Sequence, residues 1–289
     1  MTYVGRFAPS PSGRLHFGSL VCALGSYLRA KSLGGRILLR IEDTDTSRCH
    51  PDNTLEIIDE LSRLGFVYDG KVRIQTEHLE EYYEQGLKLY ESGYAYYCSC
   101  TRDSLKRTPC QCVTRPPEFN RIPCALRLRL NERMPAFFYD VLRGYVACQP
   151  PLNAPTLIRK DGLVSYNLAC VADDLRQGVN EVVRGADLME VTTTQQYLSF
   201  ALGAGYVMSY LHLPLVMADD KHKLSKQNHA VPVLDEGNCQ EVLLAALRFL
   251  GQSTCGISVH DTPRMILNKA LSSFDVRRIP LESGGDPLR

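Results

Sequence analysis

Apolar and polar positions alternate along the first hundred residues in a strand–helix–strand rhythm. Tyr3 to Ala8 reads as a short strand, and Pro9-Ser-Pro-Ser-Gly13 as a turn-rich loop. From Ser19 to Lys31 the apolar side chains Leu20, Leu24, Tyr27 and Leu28 share one helical face, and Gly34-Gly35 ends it. Arg36 to Ile41 has the almost unbroken apolar run of a buried strand. This spacing predicts a parallel pair joined by a right-handed crossover. Helical patterns follow over 51–65 and 77–93.

The rhythm breaks between 98 and about 150, where clustered cysteines and prolines surround one alternating strand, Ala125 to Leu130. It resumes with a helix over 166–174, a strand over 181–184, a helix over 192–202 and a strand over 213–217. The remaining 63 residues after Lys226 are mostly helical in pattern, over 239–250 and 263–272. The division expected is therefore an α/β fold in two halves, 1–97 and 151–230. An inserted subdomain at 98–150 separates them, and a short helical region at 231–289 follows.

Composition narrows the function. The 289 residues carry 33 Lys and Arg against 32 Asp and Glu, too balanced to coat nucleic acid or membrane by bulk charge. Locally the balance shifts: 98–150 holds nine basic and four acidic side chains, the electrostatics of a face for RNA phosphates. No apolar run approaches membrane length, and the start lacks a signal peptide's pattern. Eleven cysteines, most of them scattered, suit a reduced cytoplasm better than a disulfide scaffold.

In open α/β sheets, ligands bind beyond the carboxyl ends of the strands. Those ends here offer Arg6, Ala8, Ser10 and His16-Phe-Gly-Ser19, then Glu42, Arg184 and the loop Lys223-Leu-Ser-Lys226. Charge is plentiful and nucleophile–base pairs are not, so a covalent hydrolytic route is not suggested. Two arginines, a glutamate and a lysine loop suit a zwitterionic acid beside a polyphosphate, and a helix N-terminus nearby favours anions.

Arg6-Phe-Ala-Pro-Ser-Pro-Ser-Gly-Arg-Leu-His-Phe-Gly-Ser19 and Lys223-Leu-Ser-Lys-Gln227 resemble the HIGH and KMSKS signatures of class I aminoacyl-tRNA synthetases. With Arg40-Ile-Glu-Asp-Thr-Asp45 and Val183-Arg-Gly-Ala-Asp187, the similarity is to the glutamyl subgroup, over roughly 3–230. It implies a Rossmann-type doubly wound parallel sheet with a zinc-bearing insertion. Ser19 replaces the signature's second histidine, and the tail is too short for anticodon-binding domains, as in truncated paralogues of the subgroup. What those imply is ATP-dependent activation of L-glutamate without tRNA, with Mg2+ accompanying ATP. Transfer to queuosine at the wobble position of tRNA(Asp) follows, by a cytoplasmic monomer with no membrane partner. The alternative is a shortened glutamyl-tRNA synthetase that charges the acceptor end. Cofactor adenylyltransferases and a non-catalytic zinc-stabilised RNA-binding module rank below both.

The resemblance assigns His16 and Lys226 to catalysis. His16, Gly18, Ser19, Lys223, Ser225 and Lys226 would bind ATP, and Arg6, Ala8, Ser10, Glu42, Tyr166 and Arg184 would bind glutamate. Asp43 and Asp45 read as capping residues with Thr44 and Ser47, and Arg184 has a structural rival role as partner of Asp187. Cys98, Cys100, Cys110 and Cys112 lie within fifteen residues and suffice for a tetrahedral zinc site. Cys124 is a substitute fourth ligand, and a metal-free cluster is the other reading. Tyr94, Tyr96 and Tyr97 read as packing.

Overall fold

The computed structural model describes residues 2–108, 110–115, 123–218, 222–224 and 231–288. In chain order the first half comprises β1 (Val4–Phe7), α1 (Phe17–Ser32), β2 (Arg36–Ile41), α2 (Pro51–Arg63), β3 (Arg73–Ile74), a 3-10 turn (Gln75–His78) and α3 (Leu79–Glu91). The middle comprises β4 (Ala95–Cys98), α4 (Arg102–Arg107), β5 (Ala125–Leu128), β6 (Phe137–Asp140), β7 (Gly144–Ala147) and β8 (Thr156–Ile158). Then come α5 (Tyr166–Arg176), β9 (Glu181–Gly185), a 3-10 turn (Ala186–Val191), α6 (Thr192–Ala201), β10 (Ser209–Leu213) and β11 (Val216–Met217). The chain closes with α7 (Val233–Glu236), α8 (Cys239–Phe249), α9 (Pro263–Ser272) and the short β12 (Gly284–Gly285).

Strands β1, β2 and β3 pair in parallel, with Val4 opposite Arg36 and Phe7 opposite Leu39. The Asn180 amide donates to the Val4 carbonyl at 3.0 Å, and the Val4 amide to Asn180 Oδ1 at 3.0 Å. That exchange sets β9 beside β1. Strand β10 runs parallel to β9, placing His212 opposite Arg184, and β6 runs parallel to β10 with Asp140 opposite Tyr210. The parallel sets β3-β2-β1 and β9-β10-β6 thus meet edge to edge in the expected doubly wound arrangement, and the strand order runs outward in opposite directions from the β1–β9 seam. That seam is where such sheets open a crevice for ligands.

One core explains why the halves hold together. Leu20, Leu24 and Leu28 of α1 pack with Ile37, Leu39 and Ile41 of β2 and with Leu243, Leu247 and Ile266 of α8 and α9. Each such buried aliphatic side chain contributes about 1.5–3 kcal/mol. The C-terminal helices are thus packed on α1. Their starts are written locally: Asn238 and Glu241 form a capping box, and Thr262 caps α9 ahead of Pro263. Gly25 lets α1 approach the sheet, since a Cβ there would lie 2.6 Å from Leu213 Cδ1.

Two expectations change. The strand expected over 213–217 lies at Ser209–Leu213, because Pro214 has no amide hydrogen to continue the ladder, and only the two-residue β11 follows. Tyr210 and His212 disguise β10 as polar, although both are buried. The stretch 98–150 also serves two sheets: β5 pairs antiparallel with β4 and β8, whereas β6 and β7 extend the central sheet.

Candidate active site

Charge is concentrated at the β1–β9 seam and almost none of it is exposed. Arg6 near the end of β1 donates from Nε to Asp174 Oδ1 at 3.3 Å and from Nη1 to the Val183 carbonyl at 3.0 Å. Arg40, fully buried in β2, donates to the same Asp174 oxygen at 2.8 Å and to Glu42 Oε1 at 3.1 Å. A buried charge must be paired to be tolerated, and these four side chains pair one another. Helix α5 supplies the acid: Asp174 faces the two arginines, while its neighbour Asp173 accepts from Arg73, Gln75 and Tyr82 and fixes the helix in place.

The fields differ from group to group. Burial pushes Asp174 up, but Arg40 and Arg6 outweigh it and hold the carboxyl below its ordinary value. For Glu42 burial prevails over Arg40 and Arg6, and its value is raised. The Tyr166 hydroxyl is raised chiefly by burial and then by Cys170, against the lowering pull of Arg184.

Arg184 in β9 is held on every side. Its Nη1 donates to Gln195 Oε1 at 2.6 Å and approaches the Tyr166 hydroxyl at 3.5 Å, and its Nη2 donates to Thr192 Oγ1 at 2.8 Å. Asp187 instead accepts from Lys223, which overturns the pairing of Arg184 with Asp187. The same contact ties the start of the lysine loop to the Val183–Asp187 block.

A cavity of about 300 Å3 is lined by Ser10, Glu42 and Tyr166 from the predicted set, together with Gln75, Arg159 and Ser165. Arg6 and Arg184 do not line it. Both are buried, Arg184 with its Nη1 3.5 Å from the Tyr166 hydroxyl. Ala8 is half-buried at the end of β1, between Arg6 and Ser10. A larger cavity of about 600 Å3, walled by Phe137, Tyr145, Phe200 and Tyr206, includes none of the predicted residues.

His16 is the N-cap of α1, and its carbonyl accepts from the Ser19 amide at 2.9 Å. Gly18 fits beside it, because a Cβ there would lie 3.0 Å from His16 Cε1. Ser225 and Lys226 lie outside the described residues, so the loop is described only as far as Leu224. Asp45 accepts from Ser47 as a local cap, whereas Asp43 caps the 3-10 turn through the Thr76 amide. Helix α2 begins instead at His50 with Pro51 in its first turn.

Cys98, Cys100, Cys110 and Cys112 bring their sulfurs within 4.8 Å of one another. Cys98 and Cys110 are 3.5 Å apart, Cys100 and Cys110 3.8 Å, and Cys100 and Cys112 3.7 Å. A zinc tetrahedron with bonds of about 2.3 Å has sulfur–sulfur edges of about 3.8 Å, so the four fit one ion. Cys124 is not part of the group. Burial raises Cys112, but the Ser99 amide and its cysteine neighbours outweigh it and bring the thiol down to about 7, while burial pushes Cys100 up to about 12. Tyr96 is buried with its hydroxyl 3.7 Å from Cys110, and Tyr94 and Tyr97 pack on the neighbouring core.

Sequence reasoning missed Arg40 and Asp174 as partners of the site, along with Gln195, Thr192, Asp140 and His212. The signal for Arg40 was present: an arginine inside an otherwise apolar buried strand must have a counter-ion.

Comparison with known proteins adds the relationship. The catalytic domain of class I tRNA synthetases (E and Q) matches residues 3–121 and 114–265. The glutamyl-Q tRNA(Asp) synthetase of Cronobacter sakazakii is 42% identical over 293 aligned positions, covering 99% of this chain and 96% of that protein. Its Escherichia coli counterpart is 42% identical, covering 96% and 91%. A crystal structure of a glutamate tRNA ligase from Elizabethkingia meningosepticum superposes with a TM-score of 0.81 at 23% identity, covering all of this chain and 68% of that one.

Proposed function

The chain belongs to the class I tRNA synthetases of the glutamate and glutamine type. On that premise we propose that it activates L-glutamate with ATP, without tRNA, and transfers the glutamyl group to queuosine at the wobble position of tRNA(Asp). Its likeness to the glutamyl-Q tRNA(Asp) synthetases extends over nearly the whole of both chains. The observation that carries the site assignment is that Tyr166 lines one cavity with Ser10 and Glu42 while its hydroxyl lies 3.5 Å from Arg184 Nη1.

In the first step a substrate carboxylate oxygen bonds to the α-phosphorus of ATP and the bond to pyrophosphate breaks. The carboxylate is already nucleophilic, so alignment and neutralisation of phosphate charge do the catalysis. His16, Gly18 and Ser19 at the start of α1 are assigned to the phosphates, with Mg2+ entering with ATP. Lys223, Ser225 and Lys226 are assigned to the departing pyrophosphate. In the second step a queuosine hydroxyl takes the glutamyl carbon, losing its proton as AMP leaves.

Both substrate arginines are internally bonded, and their longest contacts suggest where glutamate enters. Arg6 Nη2 reaches Cys170 Sγ only at 4.0 Å, and Arg184 Nη1 reaches Tyr166 only at 3.5 Å. Tyr166 and Cys170 are one turn apart on α5, so both weak contacts face the same side of that helix. The two carboxylates of glutamate would replace them. Glu42, which lines the cavity with Ser10 and whose amide donates to the Pro9 carbonyl at 3.0 Å, would take the ammonium, whose charge favours the ionised carboxylate against burial. A glutamine amide would leave one buried guanidinium without its counter-ion, at a cost of about 3–5 kcal/mol.

The four thiolates would hold one structural zinc, in an insertion whose basic side chains would meet RNA. We assign the protein to the cytoplasm, acting as a monomer. All eleven cysteines are unbridged, which suits a reducing compartment, and among the described residues no helix is long and apolar enough to cross a membrane. The test is incubation with labelled glutamate, ATP and tRNA(Asp) with or without queuosine. Label is expected only on the queuosine-bearing RNA. Equal labelling of both would favour charging of the acceptor end.

A further inference from the structure

Asp140 and His212 have no part in the assignments above, yet both are fully buried, and His212 lies against Arg184. Asp140 Oδ1 accepts from the amides of Leu142 at 2.9 Å and Arg143 at 3.0 Å. Its Oδ2 accepts from the His212 amide at 2.9 Å and lies 2.8 Å from His212 Nδ1. A carboxylate with four donors stays ionised: burial would raise Asp140, but His212 and these amides hold it below its ordinary value.

That fixes the imidazole. With its proton on Nδ1 toward Asp140, His212 presents a lone pair at Nε2, 3.2 Å from Arg184 Nε. A guanidinium can only donate, so the contact requires this tautomer. Around His212 stand Asp140, Arg143, Arg184 and Tyr210; burial chiefly, with the two arginines, keeps the ring neutral against the pull of Asp140. The ring lies parallel to Tyr210, with centroids 5.9 Å apart, and edge-on to Phe138 at 5.3 Å. Arg184 in turn lies over the Tyr210 ring, 5.4 Å from its centroid.

We infer that Asp140 and His212 are positioning residues for Arg184: the carboxylate sets the imidazole tautomer, and Nε2 sets the plane of the guanidinium that meets the substrate carboxylate. With Nε held, Nη2 points to Thr192 and the Leu188 carbonyl, leaving Nη1 directed at Gln195 and Tyr166. Of these contacts the one to Tyr166, at 3.5 Å, is the longest. The inference rests on Arg184 meeting glutamate, and it makes specificity depend on β6, a strand outside the motifs of the family.

The test is steady-state ATP–pyrophosphate exchange with His212→Phe, which keeps an aromatic ring and removes the acceptor, and His212→Gln, which restores an acceptor near Nε2. His212→Phe is expected to raise KM for glutamate about tenfold or more, leave KM for ATP within about twofold, and be largely rescued by Gln. An unchanged KM for glutamate, or equal rises for both substrates, would overturn the inference. Arg184→Ala separates the premise: normal exchange there would overturn the glutamate-site assignment instead. Should His212→Phe fail to fold, 15N NMR of the unsubstituted protein decides. A protonated Nδ1 with a bare Nε2 supports the arrangement, and a proton on Nε2 overturns it.

Discussion

The four-sulfur cluster and the charged seam both gather polar side chains at least half out of solvent, but they are assembled in opposite ways. The sulfurs come from one short stretch, and their spacing matches an ion's coordination edges. The charged seam draws on β1, β2, α5 and β9, and its members already satisfy one another through Asp174 and Arg40. A local cluster of ligands is built around a guest. A non-local cluster of charges must first solve its own desolvation, and it offers a substrate only the bonds it can spare.

Substitutions can break that contrast, beginning with the most severe. Arg184→Ala is expected to reduce glutamate-dependent pyrophosphate exchange to background, measured beside the unsubstituted enzyme. Arg40→Met would leave Asp174 and Glu42 short of a counter-charge, at a cost of about 3–5 kcal/mol in denaturant unfolding. Cys112→Ser should lower bound zinc from about one equivalent to under half, by metal analysis, with the charged seam intact.

Acid should act on the seam more gently. His212, Asp140 and Asp174 all sit below their ordinary values, so the unfolded chain binds more protons than the folded one. Their contribution is complete above about pH 6.5, falls as His212 and then the carboxylates protonate, and is lost below their folded values. Glu42, raised by burial, has the opposite sign: what it contributes in acid is lost as pH rises through its folded value. Unfolding free energy is therefore expected to decline first below about pH 6.5, as His212 protonates, and again below about pH 4, as Asp140 and Asp174 do. The smallest effect belongs to Asp187→Asn, whose partner Lys223 is half exposed, and about 0–1 kcal/mol of stability is expected to go with it.

The contrast also governs what the sequence could reveal. Four cysteines in a short stretch announce themselves, and strand ends can be read from apolar runs, so Arg6, Glu42 and Arg184 were legible. Helices α1, α2, α8 and α9 were legible too, from their helical patterns of apolar residues. Asp174, Asp140 and His212 were not, because a buried acid on a helix or a histidine in a strand looks like any polar position until its partner is known. Pro214 misled in the other direction, since the apolar residues around it imitate a strand that its missing amide hydrogen interrupts.

The central claim is that the seam selects glutamate by its two carboxylates and activates it without RNA. Amino-acid-dependent ATP–pyrophosphate exchange, run with each of the twenty amino acids and no tRNA, tests it most directly. Exchange with glutamate and none with glutamine is the expected result; exchange with glutamine as fast as with glutamate, or none without tRNA, would contradict it.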